Sequence, residues 1–129
     1  VEHTLKATCD TVHLGGFSSA LSPVLTIESG DRVHVETFSG FGVYRKAPAE
    51  FVPPAFREIC ENLAADRKVG PGSHLLTGPI YINQAEPGDV LEVRLEAITP
   101  RLPIGFNAIR PGWGALQQTF TEPALRFIP

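Results

Sequence analysis

The chain has 129 residues, with 11 Lys and Arg against 14 Asp and Glu for a formal net charge of −3. That length holds one domain, and with no basic run it excludes a surface built for nucleic acid or an anionic membrane. Hydrophobic residues at 43% and charged residues at 19% describe a folding domain rather than a disordered one. Glycine and proline, 12 of each, exceed ordinary usage and predict many turns. No apolar run approaches the roughly 20 residues of a membrane span, and VEHTLKATCD has neither the basic end nor the apolar centre of a signal peptide. The chain therefore reads as soluble and cytoplasmic.

In chain order, Asp10, Thr11, Val12 and His13 lead into Gly15, Gly16 and Phe17, a polar turn beside an aromatic residue. The apolar run 23–27 (PVLTI) predicts a short strand, and Val33, Val35 and Thr37 alternating with Arg32, His34 and Glu36 predict a second. Residues 39–54 show no period and read as a long loop packed on the β core. Phe56, Ile59, Cys60, Leu63 and Ala64 fall on one helical stripe, and Pro53 and Pro54 precede it, so a helix is expected over residues 55–66. Gly70, Pro71 and Gly72 stop anything beyond it. A strand over 79–82 (PIYI) follows, and then the clearest alternation in the chain: Leu91, Val93, Leu95 and Ala97 against Glu92, Arg94 and Glu96. Residues 100–123, rich in Gly and Pro, read as a second long loop. Glu28-Ser29-Gly30-Asp31 and Glu86-Pro87-Gly88-Asp89 make a weak internal repeat at an offset of 58, each a turn between two strands, so each unit is expected to be a hairpin. The fold class is mainly β, a sandwich or jelly-roll-like barrel with one short helix and long ordered loops.

Among the histidines, His34 alternates with Val33 and Val35 and is expected at the surface, and His3 is expected exposed or frayed. His13 stands three residues after Asp10, a spacing at which a carboxylate can orient an imidazole or share a metal with it; a local turn is the plainer reading. His74 stands where a loop enters the strand run LLTGPIYI, a place where sites are often built and where a structural histidine fits equally. Cys9 and Cys60 lack a CxxC spacing and are expected reduced and structural, Cys60 because it lies on the apolar stripe with no His partner. There is no GxSxG, HExxH, GxxxxGK[ST] or GxGxxG motif. A copper-binding β-sandwich lacks its usual clustered ligands here, and the chain contains no Met.

The ordered runs CDTVHLGGF (9–17), PVLTIESGDRVHVET (23–37), GPGSHLLTGPIYINQAEPGDVLEVRL (70–95) and GFNAIRPGWGAL (105–116) resemble the acetamidase/formamidase family, the third most specifically. The resemblance implies hydrolysis of short aliphatic amides to a carboxylate and ammonia on a mainly β fold in a homo-oligomer. Cys9, Leu14 and Gly16 depart from the family pattern beside His13. Residues 1–129 correspond to the amino-terminal portion of such an enzyme, which implies that a second fragment or chain supplies the remainder. On this reading His13, His74 and Asp10 line the site as base, acid or ligands to a divalent metal such as zinc, N–H groups around Thr77 and Gly78 help hold the carbonyl oxygen, and no organic cofactor is needed. The alternative is a non-catalytic β scaffold or oligomerisation domain.

Overall fold

The structure, a computed structural model, describes residues 1–129. Eight short strands form four two-stranded sheets: β1 (Glu2–Leu5) with β4 (Arg32–Val35), β2 (Val12–Leu14) with β5 (Leu75–Thr77), β3 (Leu25–Ile27) with β6 (Ile80–Ile82), and β7 (Gly105–Ile109) with β8 (Ala124–Ile128). The fold is β-rich with one α-helix, as the sequence implies, and the sheets do not close into a barrel.

Both repeated turns form with the same hydrogen bonds. The Glu28 N–H donates to Asp31 Oδ2 at 3.0 Å and the Asp31 N–H to the Glu28 carbonyl at 3.1 Å; the Glu86 N–H donates to Asp89 Oδ2 at 2.9 Å and the Asp89 N–H to the Glu86 carbonyl at 3.0 Å. Gly30 and Gly88 supply the positive φ, +88° and +105°, that each turn requires. The hairpins do not form. β3 and β6, the strands entering the two turns, pair in parallel with each other, and β4 pairs in parallel with β1. A strand is defined by its hydrogen-bonding neighbour, and for these strands long-range parallel partners replace the adjacent one. Residues 90–97, the strongest strand pattern in the sequence, form no strand. His3 is not frayed: it lies half-buried on β1, with its Nε2 2.8 Å from Asp31 Oδ2. His34 is exposed, as its alternation implies.

Helix α1 runs Pro54–Asn62, shorter than expected, because Leu63 leaves helical geometry at ψ 124° while its side chain stays buried. Ala64, expected on the stripe, is exposed. Phe56 and Ile59 are fully buried, and the core around them is largely aromatic. Phe38 stacks on Phe56 at 5.0 Å, and Phe51 meets Phe56, Phe106 and Phe127 edge-on. Phe38, Val43, Tyr44, Phe51 and Val52 are buried members of this cluster, so residues 39–54, wound into 3-10 turns at Tyr44–Lys46 and Ala49–Phe51, are a wall of the core. Burying each such side chain contributes about 2 kcal/mol. The expected loop over 100–123 instead contains β7, whose antiparallel partner β8 seats Phe106 opposite Phe127. Cys60, buried against Phe56 and Ile59, has its thiol pushed up to about 12 by burial, which makes it a packing group rather than a nucleophile. No helix is long and apolar enough to cross a membrane.

Candidate active site

His13 sits at the centre of β2, whose three residues are all buried. Strand β5 covers one edge with Leu76 opposite His13, and on the other side the Val69 N–H donates to the Leu14 carbonyl at 2.9 Å. Just beyond, Gly15 (φ +96°) meets the 70–72 loop so closely that a Cβ on Gly15 would run into the Gly70 carbonyl. These glycines are locked rather than flexible: the Gly15 N–H donates to the His74 carbonyl at 3.1 Å and the Gly72 N–H to the Gly15 carbonyl at 3.2 Å.

The His13 ring is 4% exposed, and its Nδ1–H donates to the Gly78 carbonyl at 3.3 Å. That bond assigns the proton of the neutral ring to Nδ1 and leaves Nε2 with a free lone pair. Nε2 has no partner within the chain, yet no sealed side-chain nitrogen or oxygen is left unpaired, so this atom reaches the adjoining cavity. The cavity measures about 380 Å³ and is lined by His13, Phe17, Ser18, Ser19, Thr77 and Pro79 among others. Arg67, delivered by the 3-10 turn Ala65–Arg67, donates from Nε to the Val12 carbonyl at 2.5 Å and from Nη2 to the Gly78 carbonyl at 3.4 Å. It ties β2 to the acceptor that orients His13.

The other expected residues lie elsewhere. His74 is exposed and lines a separate cavity of about 600 Å³ with Phe106, Asn107, Arg110, Trp113 and Phe120. Asp10 is exposed on the turn where the Thr11 and Val12 N–H groups both donate to the Thr8 carbonyl, beside Cys9 rather than His13. Burial, and then the carboxylates of Glu58 and Asp10, push the Cys9 thiol up. No three His, Cys, Asp or Glu side chains converge on a metal-sized position, so the donor set His13, His74 and Asp10 does not fit a shared ion within this chain. The N–H groups expected to hold a carbonyl oxygen at Thr77 and Gly78 are not both available: the Gly78 N–H donates to the Thr11 carbonyl at 2.8 Å, and the Thr77 hydroxyl to the Glu36 carbonyl at 2.7 Å. Ser18 and Ser19, by contrast, have backbone N–H groups with no acceptor in the chain and line the same cavity as His13.

Residues 64–127 match the model of the acetamidase/formamidase family. Over that span, just under half of its length, the chain is similar to this family. At family level the chemistry is therefore hydrolysis of an amide. No curated protein matches the chain. The acetamidase/formamidase match covers Arg67 and the Thr77–Pro79 wall of the cavity, whereas His13, Ser18 and Ser19 enter from the preceding part of the chain. Sequence reasoning passed over Arg67, Ser18 and Ser19 because no local pattern marks them: Arg67 reaches Val12 across 55 positions.

Proposed function

We propose that this chain supplies the pocket and the general base of an amide hydrolase that converts short linear amides, such as formamide or acetamide, to a carboxylate and ammonia. The observation that carries the proposal is the buried His13 imidazole, its Nδ1–H given to the Gly78 carbonyl and its Nε2 open to the cavity. Nε2 takes a proton from water as the water oxygen forms a bond to the amide carbon and the carbonyl electron pair moves onto oxygen. The Nε2–H then donates to the amide nitrogen as the oxyanion pair returns to carbon and the C–N bond breaks, so ammonia leaves and a carboxylic acid remains, which gives its proton to ammonia or water to become the carboxylate. The Ser18 and Ser19 N–H groups, unpaired within the chain, are the donors for the developing oxyanion. A cavity of about 380 Å³ lies at the small end of ligand sites, which suits an amide of few heavy atoms.

The purified protein, together with any polypeptide that accompanies it, is expected to release ammonia from formamide or acetamide. No ammonia from these, and none from longer linear amides, defeats the proposal.

A further inference from the structure

One side chain holds His13 both through its backbone and through its ring. On the edge of β2 away from β5, the Leu14 carbonyl accepts the Val69 N–H at 2.9 Å and the Val12 carbonyl accepts the Arg67 Nε–H at 2.5 Å. Arg67 thus stands in for a backbone donor of a third strand, of which a single bridge, Leu14 to Lys68, is formed. The same guanidinium sends Nη2–H to the Gly78 carbonyl at 3.4 Å, where the other donor is His13 Nδ1–H. Pro79 follows Gly78, so the peptide that carries this carbonyl has no N–H by which the chain could fix it. Arg67 is half-buried and takes part in no ion pair, so its hydrogen bonds all go to these two carbonyls.

We propose that Arg67 is the positioning residue of the base: it fixes both the strand from which His13 hangs and the carbonyl that receives its ring proton, and so keeps the proton on Nδ1 and the Nε2 lone pair toward the cavity. Its part in turnover rests on the reading of His13 as general base; its control of the tautomer does not. Which nitrogen of a neutral imidazole carries the proton is set by the hydrogen bond the ring makes. The Nδ1–H form holds only while the Gly78 oxygen stays in front of Nδ1. Once that oxygen turns away, the proton is free to sit on Nε2, which then has no lone pair to take a proton from water. A planar guanidinium with its N–H groups in a rigid fork holds two carbonyls at one spacing, whereas an ammonium on a flexible stem does not. The fork, more than the charge, is therefore what the site uses. Arg67 does not line the cavity, so it reaches the amide only through His13.

Nitrogen NMR of isotope-labelled protein tests this without any turnover, because the shifts of the two ring nitrogens identify the protonated one; the His13 signals are those missing from His13→Gln. At a pH where the ring is neutral, the unaltered protein is expected to show the Nδ1–H form. Arg67→Met, which keeps an unbranched stem and removes the fork, should shift the population toward Nε2–H. It should also lower kcat for formamide or acetamide by about tenfold or more and leave KM within about twofold. Arg67→Lys, which keeps the charge, should fold as the unaltered protein does and still lose the preference for Nδ1–H. The expected tautomers without ammonia release from any linear amide would uphold the positioning by Arg67 and defeat only the general-base reading. An Nε2–H ring in the unaltered protein, an Nδ1–H ring retained in folded Arg67→Lys or Arg67→Met, or a loss carried by KM alone would overturn the proposal. So would failure of both variants to fold, which would assign Arg67 to the fold alone.

Discussion

Residues 23–36 and 79–94 run through the same sequence of events: a short apolar strand, a Glu-x-Gly-Asp turn closed by the same two hydrogen bonds, and an alternating segment leaving the turn. They end differently. After the first turn, β4 lies against β1 with Val33 opposite His3 and Val35 opposite Leu5, and Asp31 is further held by His3 and the Val1 ammonium. Those contacts, the ammonium first, then the Glu28 N–H and His3, keep the Asp31 carboxyl well below the usual carboxylate range. After the second turn, Asp89 accepts only from the Glu86 N–H, and the more regular of the two alternating segments finds no neighbour. The difference teaches that alternation records which side chains a strand would bury, while hydrogen-bond partners decide whether a strand exists.

The largest expected effect is in amide hydrogen exchange at dilute protein. The β2 amides, buried and flanked on both sides, should exchange at least about a thousandfold more slowly than those of residues 90–98. Comparable rates would erase the contrast. Next, Gly15→Ala should destabilise the fold by about 3 kcal/mol or more in denaturant titration, because it combines a positive φ with collision against the Gly70 carbonyl. A neutral result would mean that the β2 wall of the cavity is not locked as described.

A pH titration probes the tie between the two regions. Glu36, at the end of the first segment, binds Arg101 beyond the second at 3.0 Å; that hydrogen bond, with the Ala7 N–H assisting, holds its carboxyl below its usual range. A carboxylate lowered in the folded state contributes stability that is fully present above its unfolded pKa and lost as pH falls through its folded one. Thermal unfolding should therefore show an acid-side loss of stability that Arg101→Ala diminishes; identical acid profiles would remove Glu36 as a contributor. The smallest effect separates the two turns. A Cβ meets nothing at either Gly30 or Gly88, so only conformational strain remains, about 1 kcal/mol for Gly30→Ala. Gly88→Ala should cost less global stability, since no paired strand follows it, and equal losses would argue that residues 90–98 are part of the cooperative fold.

The parts of the fold set by local chemistry could be read in advance. The stripe of Phe56, Ile59, Cys60 and Leu63 marks the helix, and the paired Gly-Asp turns announce themselves by spacing. Strands β7 and β8 did not, because Phe106 and Phe127 gain meaning only through Phe51, more than fifty residues earlier. The site divides in the same way. His13 stands out beside its glycines, but the Gly78 carbonyl that sets its proton lies 65 positions on, and its pairing with His74 and Asp10 dissolved once β2 turned it toward a different cavity.

That separation of the two histidines gives the most direct test. Ammonia release from formamide or acetamide should be compared for His13→Gln and His74→Gln, with thermal unfolding measured on the same samples. The account predicts that His13→Gln lowers kcat by about a hundredfold or more beyond any loss of folded protein, while His74→Gln retains most of its turnover. Loss of turnover in His74→Gln with His13→Gln still active, or a His13 effect explained wholly by unfolding, would contradict it.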